Sequence, residues 1–446
     1  MLLGTQRVNS AGHLEIGGCD TVELAETFGT PLYVMDEDLI RKNSRRYVNA
    51  FKNGYGNADI AFAGKSFMTA AMCKIADQEC LYLDVASGGE IYTAQTAGYP
   101  LDKILFHGNN KSIDELQMSL DFGVGCVVVD NFLELDRLDE LARASKKRAG
   151  IMLRLTPSID PHTHKLIRTG QSDTKFGFNI KDGSAILAVK KALECTNIDL
   201  IGLHCHVGSQ LLDTRAHTQA ARIMVRFMAE AEEIGYKTKT LNLGGGLGIR
   251  YVSEHNPPSI EEFADALITV VKRELAKHKL DAPRLMVEPG RSIIGEAGTT
   301  LYRVGTIKKV QTKDAPGTRD YVSVDGGLSD NPRPSLYDAK YEAIIANRAE
   351  APADSVVTLA GKHCETDTLI KDAKIANPTT GDIVAVYSTG AYNYSMASNY
   401  NRLPRPAAVL VSDGKADVII RRETHEDLIS HDEIPKRLAA GVEMRS

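Results

Sequence analysis

Short apolar runs rich in β-branched residues alternate, through the first two thirds of the chain, with stretches whose apolar residues recur every three and four positions. A compact apolar run marks a strand buried on both faces, and the longer period marks a helix packed along one side. Eight strand runs follow one another: DIAFAGK (59–65), LYLDVAS (81–87), ILFHGN (104–109), CVVVDN (126–131), GIMLRLTP (150–157), LIGLHCHVGS (200–209), TLNLGGG (240–246) and RLMVEPG (284–290). The intervening TRAHTQAARIMVRFMAEAEEIG (214–235) and SIEEFADALITVVKRELAKH (259–278) have helical periodicity and start at Thr and Ser, which cap helix N-termini. Eight strand-then-helix units in about 230 residues predict a closed (β/α)8 barrel of the TIM type. An open doubly wound sheet would carry G-x-G-x-x-G after its first strand, and that pattern is missing there.

From residue 296 the texture changes to short alternating runs, TLYRVGTIKKV, DYVSVDGG, SVVTLAG, DIVAVYS, AAVLVSDG and ADVIIRR, broken by Gly, Pro and Asp. They predict an all-β second domain of sandwich or barrel type. The expected division is an α/β barrel over 31–295, with 1–30 and 296–446 forming the β domain that completes the active site. SIDPHTHKLIRTGQSDTKFG (158–177) is long for a barrel loop and reads as a lid over the barrel mouth.

Composition narrows the partners. A formal charge of -5, with acidic and basic residues interspersed, offers no basic stripe for nucleic acid or an anionic membrane. Seven cysteines, none in a C-x-x-C pair, argue against a disulfide framework or structural zinc and for a reducing cytoplasm. The N-terminus lacks the charged start and apolar core of an export signal, and no run of 18 apolar residues is present.

Chemistry enters with AFAGKSF (61–67). GKS is the tail of a phosphate-binding P-loop, but Asp59 stands where that motif needs its first glycine, and a carboxylate there repels phosphate. Barrel enzymes place their chemistry where strands end. Those ends carry Lys65, Asp84 with Ser87, His107, Asp130, Arg154, His206 with Ser209, glycines 244–246, and Glu288 with Arg291. Taken singly, the lysine reads as a solvated charge, HCH (204–206) as core histidines or two metal ligands, and GGG as a tight turn. Together they change the reading. Phosphate in barrels is commonly held by the loops after strands seven and eight, which here carry GGGLG and EPGR. A lysine able to form an imine, an anion cradle and an acid partner for a ring nitrogen are what a pyridoxal phosphate enzyme requires.

At this point the chain resembles the barrel-type (fold type III) pyridoxal phosphate decarboxylases, in their diaminopimelate branch. AFAGKSF, DVASGGE, FHGNNKS, TKFGFN, GLHCHVGSQ, NLGGGLGI, EPGRSI, DNPRPSLYDAKYEA, GKHCET and GAYNYSMASNYN carry the likeness, from about residue 25 to 430. The resemblance implies a lyase converting meso-2,6-diaminopimelate to L-lysine and CO2, the last step of lysine synthesis. By it, Lys65 is the cofactor-linking lysine, with Asp84 and Arg154 nearby. His206 stacks on the pyridine, Ser209 supports its polar edge, and Glu288 keeps the ring nitrogen protonated. Gly245 and Gly246, with Glu288, Pro289, Gly290 and Arg291 of EPGR and with Tyr392, hold phosphate. Arg291, Arg333, Tyr337 and Tyr392 bind substrate. Cys364 as proton donor and Glu365 as substrate contact come from the other chain of a head-to-tail homodimer. Membrane and nucleic-acid partners and a metal are not expected.

The physics of the residues agrees. Loss of CO2 leaves a carbanion, and a protonated ring nitrogen beside Glu288 is the stronger electron sink. Two arginines favour a substrate with a second carboxylate over ornithine or arginine, although a sibling decarboxylase of ornithine, arginine, a D-amino acid or carboxynorspermidine would share every cofactor residue. A catalytically dead binding homologue would not keep Lys65, His206, Glu288 and Cys364. A zinc site of His204, Cys205 and His206 fails because neighbouring strand residues point to opposite faces. One departure stands out: the family writes CESGD where this chain has CETDT, so either one residue is missing or the aspartate has become Thr368.

Overall fold

The computed structural model describes residues 2–159, 175–311 and 318–439. The eight runs form parallel strands: β1 Ala58–Ala63, β2 Tyr82–Val85, β3 Ile104–Phe106, β4 Cys126–Val129, β5 Ala149–Thr156, β6 Ile198–His204, β7 Thr240–Asn242 and β8 Arg284–Val287. Each pairs with the next, and β8 pairs with β1, so the sheet closes into a barrel. Its interior is filled by Ala61, Leu105, Cys126, Val128, Met152 and Met286, while the outward-facing side chains pack under the helices. Most strands stop short of the runs that predicted them: Lys65, His107, Asp130, His206 and Glu288 follow the last strand residue at the barrel mouth, while Asp84 and Arg154 stay in the ladder. Lys65 sits in a 3-10 turn, Gly64–Ser66, rather than in the strand.

The two long helices form where periodicity placed them, Arg215–Glu233 and Ile260–His278. Ser259 and Glu262 make the reciprocal capping box. Thr214 makes no side-chain cap, and Asp213 takes that work by accepting from the Arg215 backbone N–H at 2.9 Å.

All six later runs contribute strands to a second sheet. Its spine, Gly298–Gln311, pairs antiparallel with Thr318–Val324, with Ile383–Val386 and with Leu32–Asp36. Leu32–Asp36 lies just beyond the division expected at residue 31. The alternation did not mark Ala343–Ile345 or Thr368–Ile375 as strands, nor the small sheet of Arg7–Val8, Leu14–Ile16 and Cys19–Asp20. Most of the loop read as a lid, residues 160–174, lies outside the described residues. No helix among the described residues is long and apolar enough to cross a membrane.

Backbone bonds bring the second sheet to the barrel mouth. Gly390 N–H donates to Gly295 O at 3.0 Å and Tyr392 N–H to Ser66 O at 2.8 Å. Tyr392 adopts φ +69°, a left-handed conformation uncommon for a side-chain-bearing residue, in the turn that brings it to the cavity that Lys65 also lines.

Candidate active site

A cavity of about 310 Å³ opens at the C-terminal end of the barrel strands, at the small end of the range for ligand sites. Of the residues expected from sequence, Lys65, Asp84, Arg154, His206, Ser209, Gly245, Gly246, Glu288, Gly290, Arg291 and Tyr392 line it. Lys65 is exposed to this space. Pro289 is buried and does not line the cavity, and its carbonyl accepts from Ala63 N–H at 3.1 Å. Ser87, expected at the rim, caps the helix Gly88–Thr96 instead.

Glu288 is the electrostatic centre. Its Oε1 lies 3.0 Å from His107 Nε2 and accepts from Asn242 Nδ2 at 2.7 Å, and its Oε2 lies 3.0 Å from His204 Nε2. Burial alone would raise this carboxyl, but the facing His107 and the hydrogen bonds from His107 and His204 hold it well below the carboxylate range. Burial lowers His107 too, yet the facing Asp84 and Glu288 carboxyls leave it raised, whereas His204 is pushed down by burial to about 4. Asp84, 3.6 Å from His107 Nε2, is raised by burial. Two carboxyls in one cavity are thus shifted in opposite directions, Glu288 down and Asp84 up.

His206 lies beyond the end of β6. Burial first, then the Lys65 and Arg154 charges, keeps its ring well below the usual histidine range and therefore neutral. Arg154 lies 4.3 Å over the Phe176 ring and 3.9 Å from Asp130 Oδ2, and Asp130 Oδ1 accepts from Gly177 N–H at 2.9 Å. The buried Lys111 ammonium bonds Gly108 O, Val128 O and Glu134, and so fixes the loop that follows β3.

The residues fit pyridoxal phosphate. A Cβ on Gly245 would stand 2.1 Å from Glu288 O, and one on Gly246, which has φ +128°, 2.3 Å from Gly208 O. Only bare backbone passes there, which suits close approach to phosphate oxygens. A lysine, two arginines and an ionised carboxylate share the remaining wall.

Arg291 leads from this cavity to the second sheet. Its guanidinium donates to Ser209 Oγ at 3.0 Å and to the Tyr251 hydroxyl, and lies 4.6 Å from the Tyr392 ring. Arg333, from the RPSLY turn, donates to the Tyr341 hydroxyl at 2.6 Å. Arg333 and Tyr337 do not line the cavity, nor do Cys364 and Glu365, which are exposed. Cys364 N–H donates to Asn401 Oδ1 at 3.0 Å, and Glu365 Oε1 accepts from the Tyr400 hydroxyl at 2.5 Å.

In CETDT the buried carboxylate belongs to Asp367. It accepts from Leu328 N–H at 2.9 Å and lies 2.5 Å from His363 Nδ1, wedged where Gly327 and Gly361 lack a Cβ. Thr368 opens the next strand. Asn242, Tyr251 and Tyr341 escaped the sequence reading. Asn242 was traceable as the polar residue of NLGGG, while the two tyrosines carried no spacing signal.

Comparison with known proteins agrees with this geometry. Residues 38–295 match the family described as pyridoxal-dependent decarboxylase, pyridoxal binding domain. The chain is 49% identical over 422 residues to the diaminopimelate decarboxylase of Bacillus methanolicus, covering 94% of this chain and 96% of that protein. It is 47% identical over 433 residues to that of Bacillus subtilis, covering 97% and 98%. The crystal structure of diaminopimelate decarboxylase from M. jannaschii in co-complex with L-lysine superposes with TM-score 0.91 at 36% identity, covering 98% of this chain and 100% of that one. With a closed barrel, a lysine and a caged glutamate at its mouth, and this likeness along nearly its whole length, the chain belongs to the diaminopimelate decarboxylases of the pyridoxal-dependent decarboxylase family.

Proposed function

We propose that this protein decarboxylates meso-2,6-diaminopimelate to L-lysine and CO2 with pyridoxal phosphate, in the cytoplasm. The observation that carries the reading is that Lys65 and the caged Glu288 line one cavity with the glycine loop. Bound pyridoxal phosphate supplies the electron sink for the carbanion left when CO2 departs.

The chain's own residues do the rest. Lys65 Nζ is the amine that attaches the cofactor, and Gly245, Gly246 and Gly290 take its phosphate through backbone without a Cβ in the way. Glu288, ionised and oriented by three hydrogen bonds, stabilises a proton on the heteroaromatic nitrogen set against it. The neutral, flat ring of His206 would stack against the bound cofactor without competing for that proton. Arg291 and Arg333, with Tyr337, hold the carboxylate of the amino-acid centre that does not react.

Cys364 and Glu365 stand exposed, away from the cavity of their own chain. This supports a homodimer with shared sites, in which Cys364 of one chain returns a proton to carbon in the other's cavity and Glu365 contacts substrate there. The sheet pairing supports a domain division after Asp36 rather than at residue 31, with residues 296 onward in the β domain. Purified protein incubated separately with meso-diaminopimelate, ornithine and arginine tests the reaction: lysine and CO2 form from the first alone. An amine product from either of the others, with no lysine from the first, would reject the substrate.

A further inference from the structure

Tyr251, buried at 5% exposure on the segment that follows the glycine loop, touches both substrate-reading arginines. Its hydroxyl accepts from Arg291 Nη1, and the Arg333 guanidinium lies 4.9 Å from its ring centre. Tyr341 meets it edge-on at 5.4 Å and itself accepts from Arg333 at 2.6 Å. The arginines therefore find phenols, aromatic faces and a serine hydroxyl as partners. Among the described residues no carboxylate pairs with either guanidinium, which leaves both for an acid from outside. Two like charges brought together in a buried place repel, and a ring between them fixes their separation and aim. Burial would raise the Tyr251 hydroxyl, but Arg291 and Arg333 draw it below the usual tyrosine range.

We propose that Tyr251 is a specificity-determining positioning residue, which sets Arg291 and Arg333 to receive a carboxylate remote from the reacting carbon. The inference rests on the reading of those arginines as the carboxylate site. It adds that their discrimination depends on a residue that need not touch the substrate. A ligand carrying the remote carboxylate gains from the alignment, and one lacking it does not.

Lysine keeps the remote carboxylate after the reaction, and 1,5-diaminopentane has the same amines without it. Their competitive inhibition constants against meso-diaminopimelate, measured on the cofactor-loaded protein, give the preference directly. In Tyr251→Phe the preference for lysine falls about tenfold, the loss expected for one hydrogen bond to a charged group. KM for diaminopimelate rises while kcat changes little, and the visible absorbance of bound cofactor is unchanged. Tyr251→Leu, which removes the ring as well, lowers the preference further. Arg333→Met separates the two levels of the argument. If it abolishes the preference while both Tyr251 variants keep it, the role of Tyr251 is overturned and the arginine reading stands. If the preference survives Arg333→Met, the carboxylate reading fails and this inference falls with it.

Discussion

His204 Nε2 and Glu288 Oε2 stand 3.0 Å apart with both side chains almost fully buried. The ring, driven to about 4 by burial, is neutral at working pH and donates to the carboxylate as a hydrogen-bond partner, not as a charge. Replacing it by an apolar side chain of similar size takes one donor from a buried anion. His204→Leu should lower kcat ten- to a hundredfold, the kinetic equivalent of about 1.5–3 kcal/mol for a hydrogen bond to a charged group. A steady-state assay on the cofactor-loaded variant checks this, and His204→Gln, which restores an N–H donor, should recover part of the rate.

The barrel was legible because each strand is a compact run of apolar residues buried on both faces, from the β1 run Ala58–Ala63 onward. The cofactor residues were legible because they sit where those runs end. Thr368–Ile375 escaped because Lys371, Asp372 and Lys374 interrupt its apolar pattern and Asp372 has φ +55°. Leu32–Asp36 is fully buried, but nothing in its sequence says that its partners are Gly298–Gln311 and Ala407–Ser412. Tyr251 lies 40 residues before Arg291, and although Tyr341 follows Arg333 by only eight, nothing in the spacing says that their side chains meet. Lys65, read as the end of the first strand run, stands outside that strand for a local reason: the chain leaves it at Gly64 and carries the lysine out on a 3-10 turn.

The pH dependence of stability should show the buried His217. Its ring, 3.3 Å from Gly245 O and edge-on to Phe263, is pushed by burial from 6.5 to about 4. A histidine depressed in the folded state favours folding above its unfolded pKa, and that contribution is lost as pH falls from about 6.5 toward 4. The full loss corresponds to about 3 kcal/mol. Urea unfolding of wild type and His217→Gln across this window should give a smaller acid-side decline for the variant.

The loop that carries Cys364 depends on Asp367. Asp367→Ala removes the acceptor for Leu328 N–H and the partner of His363, and should cost about 1–3 kcal/mol by chemical denaturation. Thr368→Ala, at a half-buried strand start, should stay within about 0.5 kcal/mol.

Shared sites make a prediction for mixed chains. Lys65→Ala and Cys364→Ala proteins, each nearly inactive alone, should regain part of the wild-type activity when unfolded together and refolded. Self-contained sites would give no recovery.

The most direct test of the account is borohydride reduction of the cofactor-loaded protein followed by peptide mapping. The pyridoxyl group should be found on Lys65, in the peptide containing AFAGKSF. A label on another lysine, or no label on protein that decarboxylates diaminopimelate, would contradict it.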